Sequence, residues 1–304
     1  MRIAVIDLGT NTFHLLIAEI KQNNFDVIYK TNVPVKLGEG KINENVIIPV
    51  AFERGLACLK NFADTMTAYQ VDQVRATATS AVRSAQNGQD FVEAVREKTG
   101  IAIEIISGDD EAELIYQGVK LSGAIQNLSL IMDIGGGSVE FILCDNEKLI
   151  WKKSYNIGAA RLAQQFFNSD PISDDDRNAI LYHIQGELAD LFEICERYQP
   201  QTLIGSAGAF ETFAELIINK KNKQIDINKA ETYVFNFDEY IEVAIRLLNL
   251  NHQERAAMPG MIPLRVDMIV MAALITNYVL GRTKINQLTL STYDLKMGSL
   301  ANFL

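Results

Sequence analysis

The stretch Met132–Phe141, MDIGGGSVEF, sets three consecutive glycines between two apolar runs, LSLIMDI and VEFILC, with Asp133 before them and Glu140 after. Glycine loses more backbone entropy on ordering than any other residue, so three in a row call for a reason beyond turning the chain. A tight turn of small residues exposes consecutive backbone N–H groups as a concave anion site, and the missing Cβ lets phosphate oxygens come close. Gly135, Gly136, Gly137 and Ser138 suit that use. Gly9, Thr10, Asn11 and Thr12 suit it as well, with hydroxyls as added donors, and Asp7 precedes them as Asp133 precedes the glycines. Carboxylates beside a phosphate normally reach it through Mg²⁺, which takes oxygen ligands and keeps several waters. A third turn of small residues, Gly205-Ser206-Ala207-Gly208, opens a helix whose N-terminus adds donors and dipole for an anion.

The elements that must position these turns read as two copies of one pattern. IDLGTNTFHLLIAEI and MDIGGGSVEFILCD both run apolar strand, Asp, apolar residue, Gly, small-polar turn, strand. The segment after each hairpin reaches a glycine, in Lys36-Leu37-Gly38 and in Asn156-Ile157-Gly158. The period is far too long for a solenoid, so the repeat predicts two similar domains facing each other across a cleft. In the first, a strand meander with a turn at Gln22–Asn24 precedes a helix carrying Phe52, Leu56, Leu59, Phe62 and Met66 at helical spacing. Strand QVRATAT, helix DFVEAVREKT, strand IAIEIIS and helix EAELIYQGVK follow. In the second, a helix starts near Arg161, one long helix covers Asp174–Tyr198, and strand QTLIGS leads into helix AFETFAELII. Residues 220–237 carry the least pattern and read as an insertion.

Composition narrows the function classes. The chain has 304 residues, 48% hydrophobic and 22% charged, an ordinary globular make-up. Its net charge of −10 lacks the basic footprint of a nucleic-acid binder but leaves room for a local positive pocket around an anionic substrate. Three widely spaced cysteines with no CxxC pair suggest neither a disulfide framework nor a zinc site, and point to a reducing cytoplasm. The run MIVMAALITNYVLG, broken by Asn277 and flanked by Asp267 and Arg282, reads as a buried helix, not a membrane span. Walker A and a full GxGxxG are absent.

At these residues the sequence resembles the exopolyphosphatase / guanosine pentaphosphate phosphohydrolase (Ppx/GppA) family. The resembling segments are AVIDLGTNTFHLLIAEI, ATATSAVRSAQNG, IEIISGDDEAELIYQGV, MDIGGGSVEF, ERAAMPGMIPLRVDMIV and STYDLKMGSL. The resemblance implies a duplicated actin-like (ribonuclease H-like) α/β fold. It implies domains over 1–124 and 125–296, with a helix over about 297–304 packing back on the first. It implies Mg²⁺-dependent hydrolysis of the terminal phosphoanhydride of polyphosphate or of guanosine pentaphosphate, the latter a link to the stringent response. Glu111 matches the base that activates water, Arg83 an arginine on the terminal phosphate, and Asp133 and Glu140 the acids that place Mg²⁺ and the nucleophilic water, which makes Glu140 a catalytic as well as a metal candidate, with Asp7 at the matching place in the first half. The glycine turn matches the phosphate loop. Lys36 stands where the family has arginine, as does Lys296, and Ala207 and Ala209 replace hydroxyl residues of the third loop; lysine keeps the charge but loses the two-pronged fork. These departures keep two alternatives open: a non-catalytic sensor of polyphosphate or guanine alarmones, and an actin-fold kinase. The chain looks like the short two-domain form, which implies a preference for short polyphosphate chains and allows a homodimer.

Overall fold

The computed structural model describes residues 1–22, 24–206, 208–221 and 224–303, with the side chain of Asn228 left out. The expected turn residue Asn23, and Ala207 of the third loop, lie outside the described residues. Two units account for the chain: Met1–Gly118 together with the segment that begins at Leu295, and Val119–Asp294. The division falls within the last turn of a helix (Gly108–Leu121), earlier than the 124/125 boundary read from sequence. An amphipathic helix that runs through a boundary leaves no break in periodicity to mark it.

In the first unit β1 (Arg2–Leu8), β2 (Phe13–Lys21) and β3 (Asn24–Val33) form an antiparallel meander. Helix α1 (Pro49–Ala68) leads to β4 (Gln73–Ala78), and α2 (Ser80–Ser84) and α3 (Gly88–Thr99) lead to β5 (Ile103–Ile105) and α4 (Gly108–Leu121). β4 and β5 add in parallel beyond β1, for the order β3-β2-β1-β4-β5. Leu56, Leu59, Phe62 and Met66 of α1 are buried, as their spacing requires. Their core includes Ala4, Ile6 and Leu8, alternate residues on one face of β1.

The second unit repeats the plan. β6 (Ser129–Ile134), β7 (Val139–Cys144) and β8 (Leu149–Tyr155) form the meander. Helices α5 (Ala159–Phe166), α6 (Asp174–Glu187) and α7 (Ala189–Tyr198) precede β9 (Thr202–Ser206) and α8 (Gly208–Lys220). Then come β10 (Thr232–Val234), α9 (Phe237–Asn249), α10 (His252–Ala256), α11 (Met268–Arg282) and β11 (Gln287–Ser291). The order is β10-β11-β9-β6-β7-β8, the first unit's order with one antiparallel strand added at the edge. Residues 220–237, read as an unpatterned insertion, supply that strand.

The long helix expected over Asp174–Tyr198 is two helices that meet at Leu188, which is fully buried at φ −95, ψ 14. Apolar periodicity continues through the break, so sequence alone joins the two. The run MIVMAALITNYVLG forms α11, buried almost throughout, and among the described residues no helix is long and apolar enough to cross a membrane. The last helix, α12 (Leu295–Ala301), belongs to the first unit and packs on β1. It comes so close to α4 that a Cβ on Gly298 would collide with the Leu114 carbonyl.

Candidate active site

In the first unit the chemistry gathers at the carboxyl ends of the parallel strands, the side on which open α/β sheets bind ligands. Leu8 pairs with Phe13, so Gly9–Thr12 make up the whole bend. The Gly9 N–H donates to the Thr12 carbonyl at 3.1 Å, while the Asn11 and Thr10 carbonyls accept from Lys36 (2.8 Å) and Gly38 (3.1 Å). The N–H groups of Thr10, Asn11 and Thr12 find no backbone acceptor among the described residues. Such a run of donors fits an anion. Lys36 is thereby brought to the turn, exposed, at φ +50. Arg54, which sequence reading passed over, holds it there by donating to the Val35 and Lys36 carbonyls and to Glu39.

Glu111 and Arg83 stand at the same strand ends. The Thr79 N–H donates to the Leu8 carbonyl (3.3 Å), tying α2 to the start of the turn, and the Ile106 N–H donates to the Ala78 carbonyl (3.2 Å). The Ser107 hydroxyl accepts from the Asp110 N–H (3.1 Å) and donates to the Asp110 carboxylate (2.6 Å), so Ser107 caps the helix start and holds the Asp110 carboxylate beside it. Glu111 is used differently. It is 8% exposed, and Arg83 Nη1 donates to its Oε2 at 2.8 Å while also reaching the Ile106 carbonyl at 3.1 Å. A buried carboxylate held by an arginine beside a turn of spare donors is more than helix capping requires.

The second unit has the same construction. Ile134 pairs with Val139, so Gly135–Ser138 form the bend, closed by Gly135 N–H to the Ser138 carbonyl at 3.0 Å. The first N–H groups of a helix lack intrahelical partners. Here those of Ala159 and Ala160 donate to the Gly135 (2.9 Å) and Gly136 (2.8 Å) carbonyls, and Gly158 donates to Gly137 (3.3 Å). The turn's carbonyls are thus consumed by α5, and the N–H groups of Gly136, Gly137 and Ser138 find no backbone acceptor among the described residues. Gly158 itself is packed so tightly that a Cβ there would lie 2.5 Å from the Gly136 carbonyl carbon and oxygen.

A row of polar residues crosses each sheet beside its turn. In the second unit the register aligns Ser154, Glu140, Asp133, Ser206 and Ser291 on β8, β7, β6, β9 and β11. Directly paired residues share a face, so Asp133 and Glu140 project together. Glu140 is 1% exposed; Ser154 Oγ donates to its Oε1 at 2.6 Å, and Ser206 Oγ donates to Asp133 Oδ2 at 2.7 Å. Ser206, expected on phosphate, therefore spends its hydroxyl on Asp133. In the first unit the matching row is Asn32, His14, Asp7, Thr77 and Glu104. There His14, not a second acid, stands across from Asp7.

Arg265 is a functional candidate that sequence reading missed. It donates to the Gly208 carbonyl and to Thr212 Oγ1 (2.9 Å) and lies 3.5 Å from Glu211. Burial lowers its pKa, opposed by the charges of Glu211 and Asp133, so its guanidinium is within electrostatic reach of the glycine-turn acid. Gly208 has φ +49, and Gly205 is crowded by the Phe210 ring, which explains both glycines of the third turn. Trp151 packs on the core, and the three cysteines are buried and unbridged.

A family model described as the Ppx/GppA phosphatase family matches residues 16–304. The chain belongs to that family. It is 38% identical to an exopolyphosphatase from Cytophaga hutchinsonii of known crystal structure, with a TM-score of 0.97 over 100% of this chain and 97% of that one. It is 29% identical to Exopolyphosphatase 2 of Mycobacterium tuberculosis, over 98% of this chain and 97% of the relative. It is 30% identical to the guanosine-5'-triphosphate,3'-diphosphate pyrophosphatase of Pseudoalteromonas atlantica, over 71% of this chain and 43% of the relative. The family is thus one of phosphoanhydride hydrolases, and the two sheets repeat one α/β plan, β3-β2-β1-β4-β5 in the first unit and β8-β7-β6-β9-β11 in the second, the duplication that the sequence predicts.

Among the described residues no three His, Cys, Asp or Glu side chains gather as a metal cage. Mg²⁺ does not need one, because it is usually held by one or two carboxylates, waters and substrate phosphates. The neighbouring, serine-supported Asp133 and Glu140 fit that mode.

Proposed function

We propose that this protein hydrolyses the terminal phosphoanhydride of inorganic polyphosphate or guanosine pentaphosphate and releases orthophosphate. The observation that carries the reading is the Arg83–Glu111 pair beside the Gly9–Thr12 turn. Glu111 takes a proton from a water whose oxygen bonds to the terminal phosphorus. The bridging P–O bond breaks, and its electrons leave with the shortened phosphate chain. Arg83 carries positive charge to the transferring phosphoryl group, so a phosphate oxygen competes with Glu111 Oε2 for the guanidinium and loosens the carboxylate for its work as a base. The spare N–H groups of the Gly9–Thr12 turn add to that stabilisation of growing negative charge, which is where catalysis of phosphoryl transfer mostly resides. Mg²⁺ held by Asp133 and Glu140 would neutralise phosphate charge and help orient the chain. Asp7, with His14 across from it, lacks the second carboxylate and is the weaker metal candidate.

The test is phosphate release from short-chain polyphosphate, guanosine pentaphosphate and ATP, each with Mg²⁺ and with EDTA, for wild type and Glu111→Gln. Metal-dependent release that collapses in the variant, by about 10²-fold or more for a lost general base, is expected. Release that survives Glu111→Gln would remove Glu111 as the base; binding of these compounds without any release would favour the sensor reading.

A further inference from the structure

We propose that Ser154 is a positioning residue for the metal-binding carboxylate Glu140. The inference rests on the reading that Asp133 and Glu140 take up Mg²⁺.

Glu140 sits on β7 in a strand whose other residues are all apolar, VEFILC, and is 1% exposed. A carboxylate taken out of water must find donors in the protein. One is supplied by Ser154, its directly paired residue on β8, at 2.6 Å between Oγ and Oε1. The opposite neighbour in the row does the same for Asp133, through Ser206 at 2.7 Å. Each acid of the pair is therefore gripped from its outer side by a hydroxyl on the next strand. A donor fixed on Oε1 makes the two oxygens of Glu140 inequivalent and stops the carboxylate from rotating about its last torsion. Partners of this kind orient metal ligands, and their loss typically costs 10–100-fold in metal affinity. The repeat supplies a contrast within the molecule. At the matching positions of the first unit stand Asn32 and His14, so the serine–glutamate pair occurs only where two acids adjoin.

Ser154 lies on the edge strand and is partly exposed, so the side chain can be changed without opening a core. Mn²⁺ is the probe, read by loss of the free-ion electron paramagnetic resonance signal and displaced by Mg²⁺. The variants are Ser154→Ala, and Ser154→Thr against Ser154→Val, two side chains of one shape that differ by the hydroxyl. Expected is Mn²⁺ binding weakened about tenfold to a hundredfold in Ser154→Ala and Ser154→Val, near wild-type binding in Ser154→Thr, and metal-free melting that does not follow that order. Should Ser154→Ala fold poorly, the Thr/Val pair decides alone. Wild-type Mn²⁺ affinity in both Ser154→Ala and Ser154→Val would overturn the inference and leave the hydrolase reading standing. A wild type that binds no Mn²⁺, or an Asp133→Asn/Glu140→Gln double variant that binds it undiminished, would overturn the metal assignment and the inference with it.

Discussion

Gly158 precedes α5, and its backbone is ordinary, at φ −61 and ψ 155, so no left-handed conformation calls for glycine there. What calls for it is space. A methyl group would sit 2.5 Å from the Gly136 carbonyl carbon and oxygen, and as badly against the Gly137 carbonyl carbon. Carbon atoms in contact normally lie about 3.5 Å or more apart, so the overlap is roughly 1 Å, against backbone that cannot rotate aside. Gly158→Ala must push the glycine turn away from α5. The overpacking costs roughly 1–3 kcal/mol. It also strains the hydrogen bonds from Gly158, Ala159 and Ala160 to the turn, each worth about 1 kcal/mol. A shift of about 1 Å in a phosphate-gripping turn lowers kcat/KM on the order of 10²-fold. Urea melts and phosphate release from short polyphosphate read the two effects. Two other glycines calibrate them. At Gly38 a methyl would meet the Thr10 methyl at 2.6 Å and Ile42 Cδ1 at 3.0 Å, side-chain atoms that can move, so Gly38→Ala is the milder change. Gly186, inside α6, has nothing within 4 Å, and Gly186→Ala is expected to stabilise by roughly 0.5–1 kcal/mol. A Gly158→Ala protein with the wild-type urea midpoint and undiminished kcat/KM would refute the idea that this contact holds the turn.

Arg255 is fully buried and donates to the Val266 and Leu250 carbonyls, to Asp170 (2.8 Å) and to Asp267 (3.2 Å). Arg255→Met strands those acceptors and should lower unfolding stability by about 3 kcal/mol, seen as an earlier urea midpoint; an unchanged midpoint would mean that water replaces the arginine freely. Burial pushes the thiols of Cys58, Cys144 and Cys195 up to about 12, from 9.0 for a free thiol. The unfolded chain then loses these protons first, so the thiols' contribution to stability is complete below about pH 9 and is lost as pH rises toward about 12. Stability measured across that alkaline range should fall less steeply once all three are alanine, and an equal slope would refute the assignment.

The turns were legible because their signal is local: a strand ending in Asp, one apolar residue, a glycine, and a strand resuming with alternation after four positions. The burial of α1 and α11 was equally plain from spacing and from run length. The Arg83–Glu111 pair was not, since 28 positions separate its members and only the parallel pairing of β4 with β5 brings them to one end of the sheet. Arg265 escaped for the same reason, as its partners Gly208 and Thr212 lie far back in the chain. Ser154 carried no signal at all: in LIWKKSY it is one polar residue of an edge strand, and only register sets it across from Glu140. Leu188 shows the opposite failure, an apolar residue that continues a helical pattern while the backbone breaks it.

The return of α12 to the first unit has a consequence for how the chain comes to be folded. Synthesis delivers β1 first and Leu295–Ala301 hundreds of residues later, with all of Val119–Asp294 made between. Until then the surface of β1 that α12 covers, and the groove on α4 that admits only the glycine at position 298, stay open to water. Val119–Asp294 is continuous in the chain and can close on itself as it emerges, whereas the earlier-made unit waits for the last helix. Contacts across so long a separation form slowly, and the exposed apolar surface is at risk of aggregation while it waits. The part of the protein that is born first is therefore the part that matures last.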